Sequence, residues 1–291
     1  MNHLKNFRKF RGFGNKTNLT SVQTAVECTY EAVDIYQKFM SAFQASDDST
    51  HFMFNAHVNL IGRVQEHLEG MLVCLAAKSP TSSEALGRIV IEGSINLMFM
   101  AYRGDEKTII AFFLSWLNEH ERKLDEWQSK LSGKEYEELA THRIEGRREL
   151  VKTFRDFVSH GVDKFEVDEN KLHEYWPKSL FKRFESLDMV ESYYENYHRL
   201  SGASHITAED TISWLFTLGA TMEQKIAVAE EAVAYSTMMA RFSCGFFIDA
   251  IAYSCLRFEF DDKESIQRLF ELKATIQRNA MDIAKEAGVP Q

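Results

Sequence analysis

Proline is nearly missing from this chain, with three in 291 residues, at Pro80, Pro177 and Pro290. Because proline breaks helix interiors, its scarcity leaves long stretches free to be helical. Cysteine is scarce as well. Cys28, Cys74, Cys244 and Cys255 are widely spaced and form no C-x-x-C pair, which excludes a disulfide framework or a zinc ribbon. Their segments read as helices, so they are expected to be reduced core residues of a cytoplasmic protein. No apolar leader opens the chain, and the charge-free runs Ser49–Gly62 and Thr211–Met222 are shorter than the roughly 18 residues that a membrane span needs. A soluble protein with no membrane partner is expected. The asparagine sequons at Asn15 and Asn18 are read as chance.

Catalytic signatures are also lacking. There is no H-E-x-x-H, G-x-S-x-G, Walker or kinase motif, so zinc peptidase, serine hydrolase and NTPase readings have no support. A di-iron bundle needs two Glu-x-x-His pairs, and only Glu195 and His198 supply one. No metal and no cofactor is expected. What the chain does have is 45% hydrophobic residues, including 22 Phe, 11 Met and 4 Trp, enough for a sizeable core.

Charge is unevenly distributed. The net charge is −9, yet the first 26 residues carry Lys5, Arg8, Lys9, Arg11 and Lys16 and no acid, which leaves the rest at −14 with 29 basic against 43 acidic side chains. An acidic body disfavours a broad phosphate-binding face. Residues 1–16 read as a flexible basic arm. Their interleaved Phe7, Phe10 and Phe13 suit RNA or an anionic surface, while a plain tail and a targeting segment stay open. Gly12 and Gly14 lack the third glycine and the preceding strand of a phosphate loop.

Apolar spacing of three and four recurs almost everywhere, with no run of alternation. The expected fold is therefore all-α, a bundle of about eight or nine mostly long amphipathic helices, forming one domain over residues 17–291 with a weak internal boundary near 160–176. The helices are placed at about 19–45, 52–78, 80–102, 106–131 capped by Asp105, 134–158 and 178–186. Three more follow: 188–200 capped by Asp188, one long segment 208–258, and a terminal helix capped by Asp261 or Asp262.

Two constellations can carry chemistry. Arg88 and Glu92 lie four apart inside a helix that is apolar nearly all round, so they are expected to be a buried pair. They either fix bundle register or face a pocket, and Glu92→Ala is expected to cost about 3 kcal/mol by orphaning the arginine. The second is the Tyr-rich stretch ending in Tyr197, Arg199, Leu200, Ser201 and His205. Tyr197, Ser201 and His205 follow one another by one helical turn, which places His205 about 4–7 Å from Tyr197 or Ser201. A kinked helix with a core histidine is the plainer reading of the same residues.

These patterns, R-x-x-x-E at Arg88 and Glu92 and Y-x-x-L-S-x-x-x-H at Tyr197, Leu200, Ser201 and His205, resemble those of an uncharacterised bacterial all-helical family over roughly residues 80–220. Arg199 and His205 are also similar to the R-x4-6-H motif of the HEPN superfamily, whose helical bundles include RNases and antiviral defence effectors. Leu200 departs from it, since many HEPN nucleases have a polar residue after the arginine. That resemblance implies a homodimer bringing Arg199 and His205 together as catalytic residues, with Arg88, Glu92, Tyr197 and Ser201 binding or orienting, and RNA cleaved without metal. A non-catalytic interaction module and a small-ligand sensor are the competing classes.

Overall fold

The computed structural model describes residues 19, 21–200 and 208–288, so the basic arm, Ser201 and His205 lie outside the described residues. Among those described, the chain is all-helical with no strand. Among the described residues eleven α-helical segments occur rather than eight or nine, because the stretch 172–192 breaks into short pieces and the long segment near the C-terminus is interrupted. The chain divides into two compact units, one of residues up to Tyr102 together with those from Phe184 onward, the other Arg103–Arg183. Neither border falls within 160–176.

The larger unit is built on α1 (Gln23–Ala42), α2 (Asp48–Ala76), α3 (Pro80–Arg103), α10 (Met222–Arg257) and α11 (Lys263–Glu286). Asp47 caps α2 by accepting from the Thr50 amide at 2.8 Å, four residues before the expected start. Asp262 caps α11 in the same way through Ser265. Where one long helix is expected from 208 to 258, a break after Leu218 separates α9 (Ala208–Leu218) from α10. Thr221 and Gln224 form a reciprocal capping box there, a T-x-x-Q signal that the unbroken apolar run masked.

α10 is the axis of the unit. From Ser236 to Cys255 nearly every residue is buried, Phe247, Ile248, Ala250 and Ile251 completely, because α1, α2 and α11 surround it. By length and composition α10 could cross a membrane, but 78% of its apolar window is buried inside the protein. Its polar groups are satisfied. Arg241 donates to the carbonyls of Ser21 at 2.9 Å and Thr237 at 3.0 Å and to the Asn279 side chain, while Asp249 pairs with Lys273 at 2.7 Å. Burial raises the Asp249 carboxyl, and the lysine works against that rise.

At one end of this core, Phe39 is ringed by Tyr36, Phe43, Phe54, Phe258 and Phe260. All four cysteines are free, and burial pushes the Cys244 and Cys255 thiols up to about 12. Helix contacts are tight where glycine allows it. A Cβ at Gly93 of α3 would stand 2.5 Å from the Val64 side chain, so that position brings α2 and α3 together.

The smaller unit pairs α4 (Glu106–Ser129) with α5 (Glu137–Phe165), followed by a 3-10 turn at Glu169–Lys171, α6 (Leu172–Tyr175) and the start of α7 (Leu180–Ser186). Asp105 caps α4 by accepting from the Thr108 amide at 2.7 Å, as the sequence predicts. Arg155 to Glu121 at 2.8 Å and Arg148 to Asp125 at 2.8 Å tie α5 to α4. Ile144, Val151 and Val158 form the buried line of α5. Leu139, Leu150, Phe154 and Phe157 of the same helix are exposed. Arg183 stacks over Trp176, 4.5 Å from the ring centroid.

Candidate functional site

The two sequence constellations, more than a hundred residues apart in the chain, meet in the larger unit. α3 is packed by Val90, Ile91, Ile95, Leu97 and Met98, none of them exposed, and this fixes the rotation that turns Arg88 and Glu92 to one face. Opposite them the chain does not continue as the expected helix capped by Asp188. Asp188 adopts a left-handed conformation (φ 56°). A short α8 (Val190–Ser192) then runs into a π-helical turn, Tyr193–His198. Such wide turns are rare and frequent at functional sites.

Tyr197, on that turn, is 7% exposed and joins the two halves. Arg88 Nη2 donates to its hydroxyl oxygen at 3.1 Å, and the hydroxyl donates to Glu92 Oε2 at 3.2 Å. The guanidinium also lies over the Tyr197 ring, 4.8 Å from its centroid. Burial raises the phenol pKa, opposed by the arginine hydrogen bond and reinforced by the charge of Glu92. The phenol therefore stays protonated and acts as the bridge between cation and anion. The buried ion pair expected from the sequence is corrected here: Arg88 is half-buried, Glu92 is exposed, and a tyrosine mediates between them. Glu92→Ala then strands no fully buried charge, and its cost falls below the expected 3 kcal/mol to about 1 kcal/mol or less. Tyr197→Phe keeps the ring and removes both hydrogen bonds, so it is expected to cost more than Glu92→Ala, about 1.5–3 kcal/mol in denaturant unfolding. An equal or smaller loss would show that the bridge carries no weight.

Around Tyr197 the turn gathers rings. Fully buried Phe184 meets Tyr193 at 5.5 Å, Tyr197 at 6.1 Å and Phe246 at 6.2 Å. On the outer side, Tyr193 and Tyr194 both approach His198, at 6.2 and 6.3 Å. Tyr194 and His198 are exposed, as is Arg199 just after the turn, whereas Leu200 is fully buried. Leu200 lies beside Gly87 of α3, where an added Cβ would meet Ser243 Oγ at 2.9 Å and the Leu200 side chain at 3.8 Å. A small residue at 87 thus seats Leu200 inward, and the outward placement of Arg199 follows.

Of the predicted site residues, Arg88, Glu92 and Tyr197 are brought together, Arg199 stands on the adjoining surface, and Ser201 and His205 lie outside the described residues. The buried Phe184 underlay and the wide turn were not foreseen, and the only sequence signal for the turn is its density of tyrosine. Among the described residues, no group of three or more His, Cys, Asp or Glu side chains converges as a metal set would.

Neither a curated protein nor a solved structure matches the chain. A family model does match, over residues 54–217, and that stretch holds Arg88, Glu92, Tyr197, Arg199, Ser201 and His205. Since it covers more than half of the chain, this protein belongs to the family of unknown function DUF5677.

Proposed function

We propose that this protein is a HEPN-like RNA-binding protein that cleaves RNA without a metal, as a homodimer and in a defence role, with Arg199 and His205 as its catalytic pair. The observation that supports the reading is Arg199, an exposed cation beside the exposed rings of Tyr194 and His198, held outward by the buried Leu200. A guanidinium grips a phosphate bidentately, and adjacent aromatic faces accept unstacked bases. In the reaction the RNA 2′-oxygen attacks its own phosphorus. Its proton passes to His205, whose ordinary pKa near 6.5 suits that task. The bond from phosphorus to the 5′-oxygen breaks, and that oxygen is protonated from solvent. The products are a 2′,3′-cyclic phosphate and a 5′-hydroxyl, and Arg199 balances the charge on the phosphorane oxygens. DNA, without the 2′-hydroxyl, is inert.

The test is cleavage of single-stranded RNA in chelator, with DNA of the same sequence alongside. Arg199→Ala and His205→Ala are each expected to lose at least about 100-fold in rate with an unchanged melting temperature. A second reading, a non-catalytic interaction module, is favoured by one observation: the Tyr197 hydroxyl already serves Arg88 and Glu92, so this cluster is internally satisfied. Wild type that cleaves no RNA, or variants that melt several degrees lower, would decide for that second reading.

A further inference from the structure

We infer that the first three turns of α10 are a docking surface for the chain's own N-terminal basic arm, residues 1–18. This goes beyond the RNA reading and does not rest on it. α1 and α10 run parallel and in step, since Ser21 is held by Arg241 at one end and Phe39 stacks on Phe258 at the other, with centroids 6.5 Å apart. The neighbours of α10 give out before it does. Asn279, two turns from the end of α11, lies at Arg241, and Glu84, one turn into α3, lies at Ser236. Upstream of that level every residue from Thr221 to Val233 is exposed.

This overhang is not built for water. Met222, Ile226, Ala229 and Val233 are spaced four, three and four, and the same spacing continues into Ser236 and Ala240, which the bundle buries. Met222 is 73% exposed, and Ile226 and Val233 are 51% exposed. A core-type stripe therefore runs out of the core uncovered among the described residues. Its flanks carry Glu223, Glu230 and Glu231 against the single base Lys225.

Three features favour the arm as occupant. The first is position, because the described chain starts at Leu19–Val22, at the foot of the overhang beside Arg241. The second is reach. Met222 lies about 28 Å upstream of Arg241 at 1.5 Å per residue, a span that eighteen residues exceed when extended and nearly match, at about 27 Å, when helical. The third is complementarity, in that Lys5, Arg8, Lys9, Arg11 and Lys16 meet a surface rich in glutamate, and Phe7, Phe10 and Phe13 meet the apolar stripe. A tethered segment needs little intrinsic affinity, since its effective concentration is in the millimolar range.

The experiment is amide hydrogen exchange on the full-length protein, with the buried part of α10, residues 243–254, as internal control. The triple variant Arg8→Glu/Lys9→Glu/Arg11→Glu is expected to speed exchange over residues 222–233 by about tenfold and to leave the control unchanged. Adding Glu230→Lys and Glu231→Lys to it restores the protection. Unchanged exchange in the triple variant, or failure of the second reversal to restore it, overturns the proposal. So does wild-type protection that disappears on dilution, which would assign the surface to a second copy. RNA binding lost in the triple variant with exchange unaltered would assign the arm to RNA and likewise overturn it.

Discussion

Replacing Phe39 with alanine is expected to lower the unfolding free energy by about 3–5 kcal/mol, the range for deleting a large aromatic from a packed interior. Phe39 is 1% exposed and touches five other rings, with centroids from 5.2 Å at Phe260 to 6.5 Å at Phe258. Edge-to-face geometry to Phe43 and Phe54 adds to the area that is buried. Its partners come from α1 and its C-terminal cap, from α2 and from the turn after α10, so no single side chain can move in to fill the space. Phe39→Leu keeps most of the volume and is expected to cost less than about 2 kcal/mol. Denaturant unfolding checks both through the midpoint at constant slope. A loss under about 1 kcal/mol for the alanine variant would mean that this end of the core is not closed as described.

The second large effect is acid sensitivity through His57. This histidine is 2% exposed, its Nδ1 lies 3.2 Å from Ser254 Oγ, and its ring meets Phe258 edge-on at 5.2 Å. Burial, helped by the nearby charge of Arg257, lowers its pKa to about 4. Between that value and the ordinary value near 6.5, the unfolded chain binds the proton and the folded chain does not, so stability falls as pH drops through this window. At about 1.4 kcal/mol for each pH unit of difference, the full loss across the window is about 3.5 kcal/mol. His57→Met has nothing to titrate there. The difference in stability between wild type and this variant is expected to shrink, or to reverse, by about 2–3 kcal/mol between pH 7 and pH 4.5. A difference independent of pH would show that His57 is charged or solvated in the native state.

Periodicity made the long helices legible, and capping residues such as Asp105 and Asp262 marked their starts, because both signals are local. Asp188 misled, since an aspartate that caps a helix and one that turns left-handed look alike in sequence. The break before Thr221 was hidden by apolar residues on both sides of it. At the candidate site, the motif residues themselves were visible, but their meeting was not. Arg88 read as the partner of Glu92 because four residues make one turn, whereas Tyr197 reaches both of them across the fold. Nothing local announces a contact of that length. Exposure was the least legible property: Glu92 sits amid buried residues in sequence yet faces outward, and Phe154 and Phe157 are apolar yet uncovered.

The π-helical turn sets the phase of Arg199 and Leu200, which follow it. A wide turn holds one residue more than the α-turn it replaces, and each residue advances a helix by about 100°. Leu200 enters its slot beside Gly87, and Arg199 points away, only while that extra residue is present. Point changes within Tyr193–His198 alter the strength of contacts, but a one-residue deletion would rewind the turn and rotate the arginine off its bearing. Length, more than composition, is what this stretch holds constant.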